Sequence, residues 1–301
     1  MPSLSARILA AVTRATMKRP FSGESFDLQR ARKRMELVAK LPGFLPRGLR
    51  VERSTEPLLQ GEWLIPADVA PRRTILYLHG GGYFACSPRT HRALTAHLAV
   101  RSRARVLALD YRLAPEHKFP AALDDAVAAL RAFWAQGMDP HAVGIAGDSA
   151  GGGLALAAMM ALRDAREPVP AAAALFSPWT DLAGTGDSMR ENADADAMLP
   201  AHLCGAAARL YAGSAPLEHP YISPFYGDFA GLPSLLVHVG DTEILLDDSL
   251  RVVEKARTAG IAVECEVWND LPHAWPVAMP YVKEARLTVA GVAAYFARQI
   301  G

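Results

Sequence analysis

From Thr74 onward the chain alternates short apolar runs with longer stretches in which apolar residues recur every three or four positions. The first pattern suits buried strands and the second amphipathic helices, and their alternation predicts an α/β fold of βαβ units with a mostly parallel sheet. The predicted strands are Thr74–Leu78, Arg105–Leu109, Val143–Ala146, Ala172–Phe176, Leu235–Val239 and Val263–Trp268. The predicted helices are His91–Arg101, Ala121–Gln136, Gly152–Asp164, Asp247–Ala259, closed by Gly260, and Lys283–Arg298. Two earlier runs, Leu49–Arg53 and Leu58–Ile65, flank a polar turn and predict an antiparallel hairpin at one edge, for about eight strands in all.

Two stretches break the alternation. Residues 1–45 are basic and helical in pattern, and residues 178–225 hold many Ala, Gly, Asp and Pro residues between two strands. A connection that long exceeds what a strand-to-helix loop needs, so it is expected to carry helices of its own and to cover something. The expected organisation is a main α/β domain from 46–177 and 226–301 under a helical cap from 1–45 and 178–225.

Composition narrows the function classes. The 301 residues are 51% hydrophobic and 21% charged, with a formal charge of +1. That balance argues against nucleic acid as a partner, and no apolar run approaches the length of a membrane span. Arg7, Arg14, Lys18 and Arg19 surround only a weak apolar patch, which reads as an amphipathic helix and not as a secretory signal. The cysteines, Cys86, Cys204 and Cys265, form no CxxC pair, which argues against a disulfide framework or a cysteine-rich metal site and fits a reduced, cytoplasmic setting.

The sharpest chemical signal follows the strand Val143–Ala146, where Gly147-Asp148-Ser149-Ala150-Gly151 opens an Ala/Leu-rich helix. This is G-x-S-x-G in its strand–turn–helix context, with Ser149 as the candidate nucleophile on a tight turn facing a helix N-terminus. A phosphate loop is the competing reading, but neither G-x-G-x-x-G nor G-K-[ST] is present. At the end of the strand Thr74–Leu78, His79 is followed by Gly80, Gly81 and Gly82. Backbone amides unshielded by side chains can hold an oxyanion, and the amides of Gly81, Gly82 and Ala150 are the candidate donors. Tyr83 and Asp148 flank these loops as candidate substrate contacts, with fixing the turn as the plainer role for Asp148. His79 reads as a structural hydrogen-bonder.

An elbow of this kind goes with the chain order nucleophile, acid, base. Among the histidines after Ser149, His202 and His219 fall in the cap and His238 inside a strand, whereas His273 lies in a loop at the expected carboxyl edge of the sheet and is the candidate base. Asp241, Glu243, Asp247 and Asp248 compete as the acid. Asp247 and Asp248 open a helix and read as caps or dipole partners, and the pattern alone does not choose between Asp241 and Glu243.

These motifs resemble the bacterial hormone-sensitive-lipase-like esterases, lipolytic family IV of the α/β-hydrolase superfamily. The resemblance runs from Thr74 to the C-terminus through HGGGY at 79–83, DYRLAPEHKFPAALDDA at 110–126, GDSAGG at 147–152, SPWTDL at 177–182 and LPHAW at 271–275. The family's D-P-L-x-D-E motif falls on residues 243–248, which implies Glu243 as the acid in place of the usual Asp. The resemblance further implies the α/β-hydrolase fold, a two-part helical cap, no metal or organic cofactor, a small-molecule ester substrate, and dimerisation through the sheet edge. The activity implied is a carboxylesterase acting on short to medium acyl esters through a Ser149–His273–Glu243 triad. A non-catalytic receptor on the same scaffold, or an amidase or lactonase with the same triad, are the alternatives. Arg112 and Glu116 are expected to pair, Asp124 and Asp125 to serve the scaffold, Cys86 to pack as a small thiol, and Glu191, Asp194 and Asp196 to lie on a solvated cap surface.

Overall fold

A computed structural model describes residues 2–19, 27–37, 44–67 and 72–301. Among these, eight strands form one sheet in the order β1-β2-β4-β3-β5-β6-β7-β8. They are β1 (Leu49–Arg53), β2 (Gly61–Pro66), β3 (Thr74–Leu78), β4 (Arg105–Leu109), β5 (Val143–Asp148), β6 (Ala172–Phe176), β7 (Ser234–Gly240) and β8 (Val263–Trp268). The first two form the antiparallel edge hairpin, β2 runs antiparallel to β4, and the strands from β4 through β8 are parallel.

Every residue of β3 and β5 is buried, as the continuous apolar runs require of strands covered on both faces. Alternate side chains then enter opposite cores: Leu76, Leu78, Leu107 and Leu175 on one face, Ile75, Tyr77, Val106 and Phe176 on the other. Helices α4 (Ala121–Ala135), α5 (Ala150–Asp164) and α8 (Leu246–Thr258) cover the first face. Helices α3 (Pro88–Ser102) and α9 (Lys283–Gln299) cover the second. Each fully buried Leu or Ile contributes about 1.5–3 kcal/mol through removal from water, so the two cores hold the sheet edge, and what stands on it, firmly.

The breaks in the alternation have helices of their own. Residues 177–233 separate β6 from β7 and contain α6 (Ser188–Glu191) and α7 (Ala201–Ala212). Near the N-terminus, α1 (Leu4–Thr13) buries Ala6 in the second core, and Ser3 anchors it through its amide and hydroxyl, each 2.7 Å from the Glu284 carboxylate. Helix α2 (Leu28–Met35) sends Arg32 to the carbonyls of Phe84 and Ala114 at 2.7 and 2.8 Å. Parts of the expected N-terminal cap, residues 1, 20–26 and 38–43, lie outside the described residues. No helix among the described residues is long and apolar enough to cross a membrane.

Two expected pairings are corrected. Arg112 bonds Asp125 at 2.8 Å, and Glu116 bonds Arg32 at 2.6 Å, because α2 brings a second arginine to the same loop. Asp247 and Asp248 lie in the first turn of α8, where acidic groups suit the helix dipole, but neither caps it. Asp247 accepts from the Ser188 amide at 2.9 Å, and buried Asp248 accepts from the Thr180 and Asp181 amides at 2.7 Å each.

Candidate active site

The carboxyl ends of the parallel strands carry the chemistry. Ser149 follows β5 directly with φ 52° and ψ −123°, the strained turn that lifts a side chain out of the strand line. Its neighbours are buried while Ser149 is half-buried. The glycines around it are steric necessities. A methyl on Gly147 would strike Gly151 O, one on Gly151 would strike Leu78 O, and one on Gly152 would come 2.8 Å from Pro178 Cβ. Among the described residues, positive φ at non-glycine positions concentrates here: Tyr83, Cys86, Ser149, Ser177, Asp270 and Ala274 are six of eight. Strain of this kind persists only where the surroundings over-determine it, and it clusters at functional sites.

The glycine loop after β3 is fixed from below by Asp148. Its Oδ1 accepts from Tyr77 Oη at 2.7 Å and from the Gly80 amide at 3.0 Å, and its Oδ2 lies 3.2 Å from His91 Nε2. Asp148 is 2% exposed, so its carboxylate faces the scaffold and not a substrate. Burial works against this charge, but His91 and the Tyr77 hydroxyl outweigh it and hold the carboxyl below its usual range. His79 stacks on Tyr111 at 4.3 Å and donates from Nδ1 to Gly80 O at 2.7 Å, and burial drives its pKa down to about 3. It is a neutral brace for the loop, the structural hydrogen-bonder expected of a histidine that precedes the nucleophile in the chain. The loop closes on itself through Phe84 and Ala85 amides donating to Gly81 O. Among the described residues the amides of Gly81, Gly82 and Ala150 donate to no protein acceptor.

Tyr83 is 1% exposed and stacks on Tyr211 of α7 at 3.7 Å with rings 5° apart. It docks the inserted segment over the glycine loop, where a methyl on Gly82 would meet Ala207 Cβ at 3.6 Å. Cys86 is half-buried, and burial pushes its thiol up to about 12.

On the other side, Glu243 Oε2 accepts from His273 Nδ1 at 2.7 Å, with both groups almost fully buried. That bond keeps the proton on Nδ1 and leaves Nε2 as the basic nitrogen. Burial alone would depress the His273 pKa, but the Glu243 carboxylate outweighs it and raises the value, with smaller contributions from Asp196 and Asp148. Asp241, the rival for this position, instead accepts from the Asp270 amide at 2.7 Å and braces the loop that carries the histidine. No hydrogen bond engages Ser149 Oγ among the described residues, a usual state for a site that tightens only around substrate.

Sequence reasoning missed the groups that hold the acid. Ser177 Oγ donates to Glu243 Oε1 at 2.7 Å, and the Gly240 amide donates to the same oxygen at 2.6 Å. Ser177 stands first in SPWTDL, so the motif flagged the position without its role. Asp196, expected on a solvated surface, is 1% exposed and accepts from the Ile244 amide at 2.9 Å. Its burial follows from the inserted segment folding inward at residues 192–199.

A family model described as the alpha/beta hydrolase fold matches residues 75–277. This chain belongs to the α/β-hydrolase family. Within that family it is 45% identical over 241 residues to an acetyl-hydrolase of Streptomyces hygroscopicus, covering 80% of each chain. It is 37% identical over 232 residues to an esterase of Acinetobacter venetianus, covering 77% of each. Among solved α/β-hydrolase structures, an esterase from the bacterial hormone-sensitive lipase family superposes with a TM-score of 0.91 at 38% identity, covering 100% of both chains. EstE5 soaked with p-nitrophenyl butyrate superposes with a TM-score of 0.92 at 38% identity over 99% of both. The likeness sets this α/β-hydrolase among the hormone-sensitive-lipase-like esterases.

Proposed function

We propose that this protein is a carboxylesterase in which Ser149, His273 and Glu243 form the triad. The observation that carries the reading is the buried Glu243–His273 bond of 2.7 Å, at the same sheet edge as the strained Ser149 elbow. A buried histidine held in one tautomer by a carboxylate, at the sheet edge that also carries a strained serine beside uncommitted amides, suits acyl transfer.

His273 Nε2 takes the proton of Ser149 as Oγ attacks the ester carbonyl. The carbonyl oxygen becomes an oxyanion held by the amides of Gly81, Gly82 and Ala150, and the positive end of α5 favours that charge. Collapse breaks the ester C–O bond, and His273 returns the proton to the leaving alcohol. A water then attacks the acyl-enzyme, its proton passing to Nε2 and on to Ser149 as the carboxylic acid departs. Glu243 keeps its charge and stabilises the imidazolium at each step. Metal chemistry has no part in this scheme.

Segments 1–45 and 178–225 act in this reading as the cap that shapes the pocket, with Tyr211 of α7 seated on the oxyanion loop as its support. The acetyl-hydrolase relative and the butyrate ester soaked into EstE5 favour short acyl chains. A homodimer through the outer strand β8, whose Val267 is 45% exposed, belongs to the same reading.

The test is hydrolysis of p-nitrophenyl esters from acetate to palmitate, wild type beside Ser149→Ala. Turnover greatest on the shorter chains and abolished by the substitution supports the reading. Retained activity in the variant overturns the nucleophile, and a folded wild type without activity on any ester favours the receptor or amide-cleaving alternatives.

A further inference from the structure

Two basic side chains near the N-terminus reach the acid loop through one stretch of the inserted segment. Lys18 Nζ donates to the carbonyls of Ala193 at 2.5 Å, Asp194 at 3.2 Å and Asp196 at 2.7 Å. Arg14 donates to Asp194 O at 2.8 Å and Ala195 O at 2.7 Å. The loop so gripped turns back on itself, the Asp196 amide donating to Asn192 O at 2.8 Å.

Two of its polar side chains, Asn192 and Asp196, point the other way. Asn192 Nδ2 donates to Asp241 O at 3.0 Å and to Glu243 O at 2.9 Å. Asp196 Oδ2 accepts from the Ile244 amide at 2.9 Å, while its Oδ1 accepts from the Met198 and Leu199 amides at 2.7 and 2.9 Å. The carbonyls of Asp241 and Glu243 and the amide of Ile244 are therefore held by a segment from elsewhere in the chain. Glu243 is tied locally by the Gly240 amide at 2.6 Å from its Oε1, by its own amide at 3.3 Å from Gly240 O and by the Leu246 amide at 3.2 Å from its carbonyl, so the inserted segment acts by placing this turn as a whole. Its carboxylate position depends on where this backbone sits.

We propose that Asn192 and Asp196, clamped from outside by Lys18 and Arg14, are positioning residues for Glu243, so that the acid meets His273 only when residues 192–196 are seated. The proposal rests on the triad reading above. The two pieces that break the strand–helix alternation thereby complete the acid side of the site as well as covering it. A displacement of about 1 Å at a catalytic group can lower turnover about a hundredfold, so a partial loosening has a measurable effect. Substrate reaches none of these four side chains in this account; they act through Glu243 alone.

The experiment compares Asn192→Ala, Lys18→Met and their double variant with wild type and Glu243→Gln on p-nitrophenyl acetate, across pH. Asn192→Ala is expected to lower kcat about tenfold with KM within about twofold, and Lys18→Met to lower it about threefold. Because both act through one loop, the double variant should lose less than the product of the two. The acid limb of the kcat/KM profile should move to lower pH in each, since His273 loses part of the carboxylate contribution that raises its pKa. A merely stabilising role would not move that limb, and Lys18→Arg, which keeps the donors, should restore both kcat and profile.

Wild-type kcat and pH profile in folded Asn192→Ala and Lys18→Met overturn the proposal. Lys18 is only half-buried, so Lys18→Met carries the test if Asn192→Ala does not fold. If Glu243→Gln itself leaves kcat and the acid limb unmoved, the triad reading falls and this proposal with it. A large effect of Glu243→Gln without any in the other two overturns the positioning role alone.

Discussion

The nucleophile side and the acid–base side of the site meet at one sheet edge but are built by different means. Around Ser149 and the glycine loop, geometry comes from backbone: positive φ at Ser149 and Gly82, and glycines whose absent side chains let strand, loop and helix touch. The determinants lie within residues 79–86 and 147–153 plus the buried Tyr77 and His91 that grip Asp148. Around Glu243 and His273, geometry comes from side-chain hydrogen bonds that cross long stretches of chain. Ser177 stands 66 residues from Glu243 and 97 from Ala274, and Asn192 stands 51 from Glu243. A backbone-built site fails abruptly when one atom is added, whereas a site held by distributed contacts loses function in steps.

The largest effect should come from the first side. Ser149→Ala removes the attacking oxygen, and loss of a nucleophile with this role lowers kcat by about 10⁴–10⁶. Gly151→Ala keeps every catalytic group and should still lower kcat at least about 10²-fold, because the new methyl meets the backbone oxygens of Leu78, at the end of β3, and His79, in the braced glycine loop, neither free to yield. Ester hydrolysis together with thermal unfolding checks it. Near-wild-type values in both would show that the elbow tolerates side chains and would break the contrast.

Glu243→Gln should rank next, lowering kcat by about 10²–10⁴. The sign of its pH effect is fixed by what shifts His273. Burial lowers that pKa and Glu243 raises it above the ordinary value, so without the carboxylate burial is left less opposed and the acid limb of kcat/KM moves to lower pH. The same raised value stabilises the fold below the unfolded-state pKa of histidine, a contribution lost as pH rises through the folded value. Asp241→Asn keeps an acceptor for the Asp270 amide and should leave kcat within about twofold and the limb in place. A pH–rate series on the two variants separates them, and reversed ranks would exchange the acid assignment.

The contrast also explains what could be read in the sequence. Strands β3, β4 and β6 fall on the predicted residues, since continuous apolar runs can satisfy burial on both faces in only one way, and the edge strand β8 does so on its alternating pattern. Ser149, the glycine loop and His273 stand in short motifs whose residue types are dictated by sterics at that spot. The acid was harder. Asp241 and Glu243 sit two residues apart on one loop, so pattern leaves both open; the motif alignment implies Glu243, and in the fold it is the Glu243 carboxylate that bonds the imidazole while Asp241 bonds the Asp270 amide. Asp196 and Arg112 were misjudged for the same reason: their partners, Ile244 and Asp125, are set by how the inserted segment and α4 pack, which no local pattern encodes.

A loss smaller than that of Glu243→Gln tests whether the acid side is held in steps. Ser177 Oγ donates to Glu243 Oε1 at 2.7 Å and accepts from the Ala274 amide at 3.4 Å, linking the acid to the residue after the base. Ser177→Ala removes one of two donors to that oxygen and leaves the Gly240 amide, so the carboxylate stays charged and paired with His273. A hydrogen bond to a charged group contributes about 1.5–3 kcal/mol, and with the Gly240 amide still in place the lower end of that range applies, roughly a tenfold loss in kcat. The acid limb should stay nearer wild type than in Glu243→Gln, because the charge that raises the His273 pKa is still there. Ser177 also carries φ 46°, a strained value that alanine shares and glycine relieves. Ser177→Gly should therefore unfold at a higher temperature than Ser177→Ala while matching its kcat. Equal kcat in the two identifies the missing hydroxyl as the cause, whereas a kcat restored by glycine would assign the effect to backbone strain and make the acid side resemble the nucleophile side.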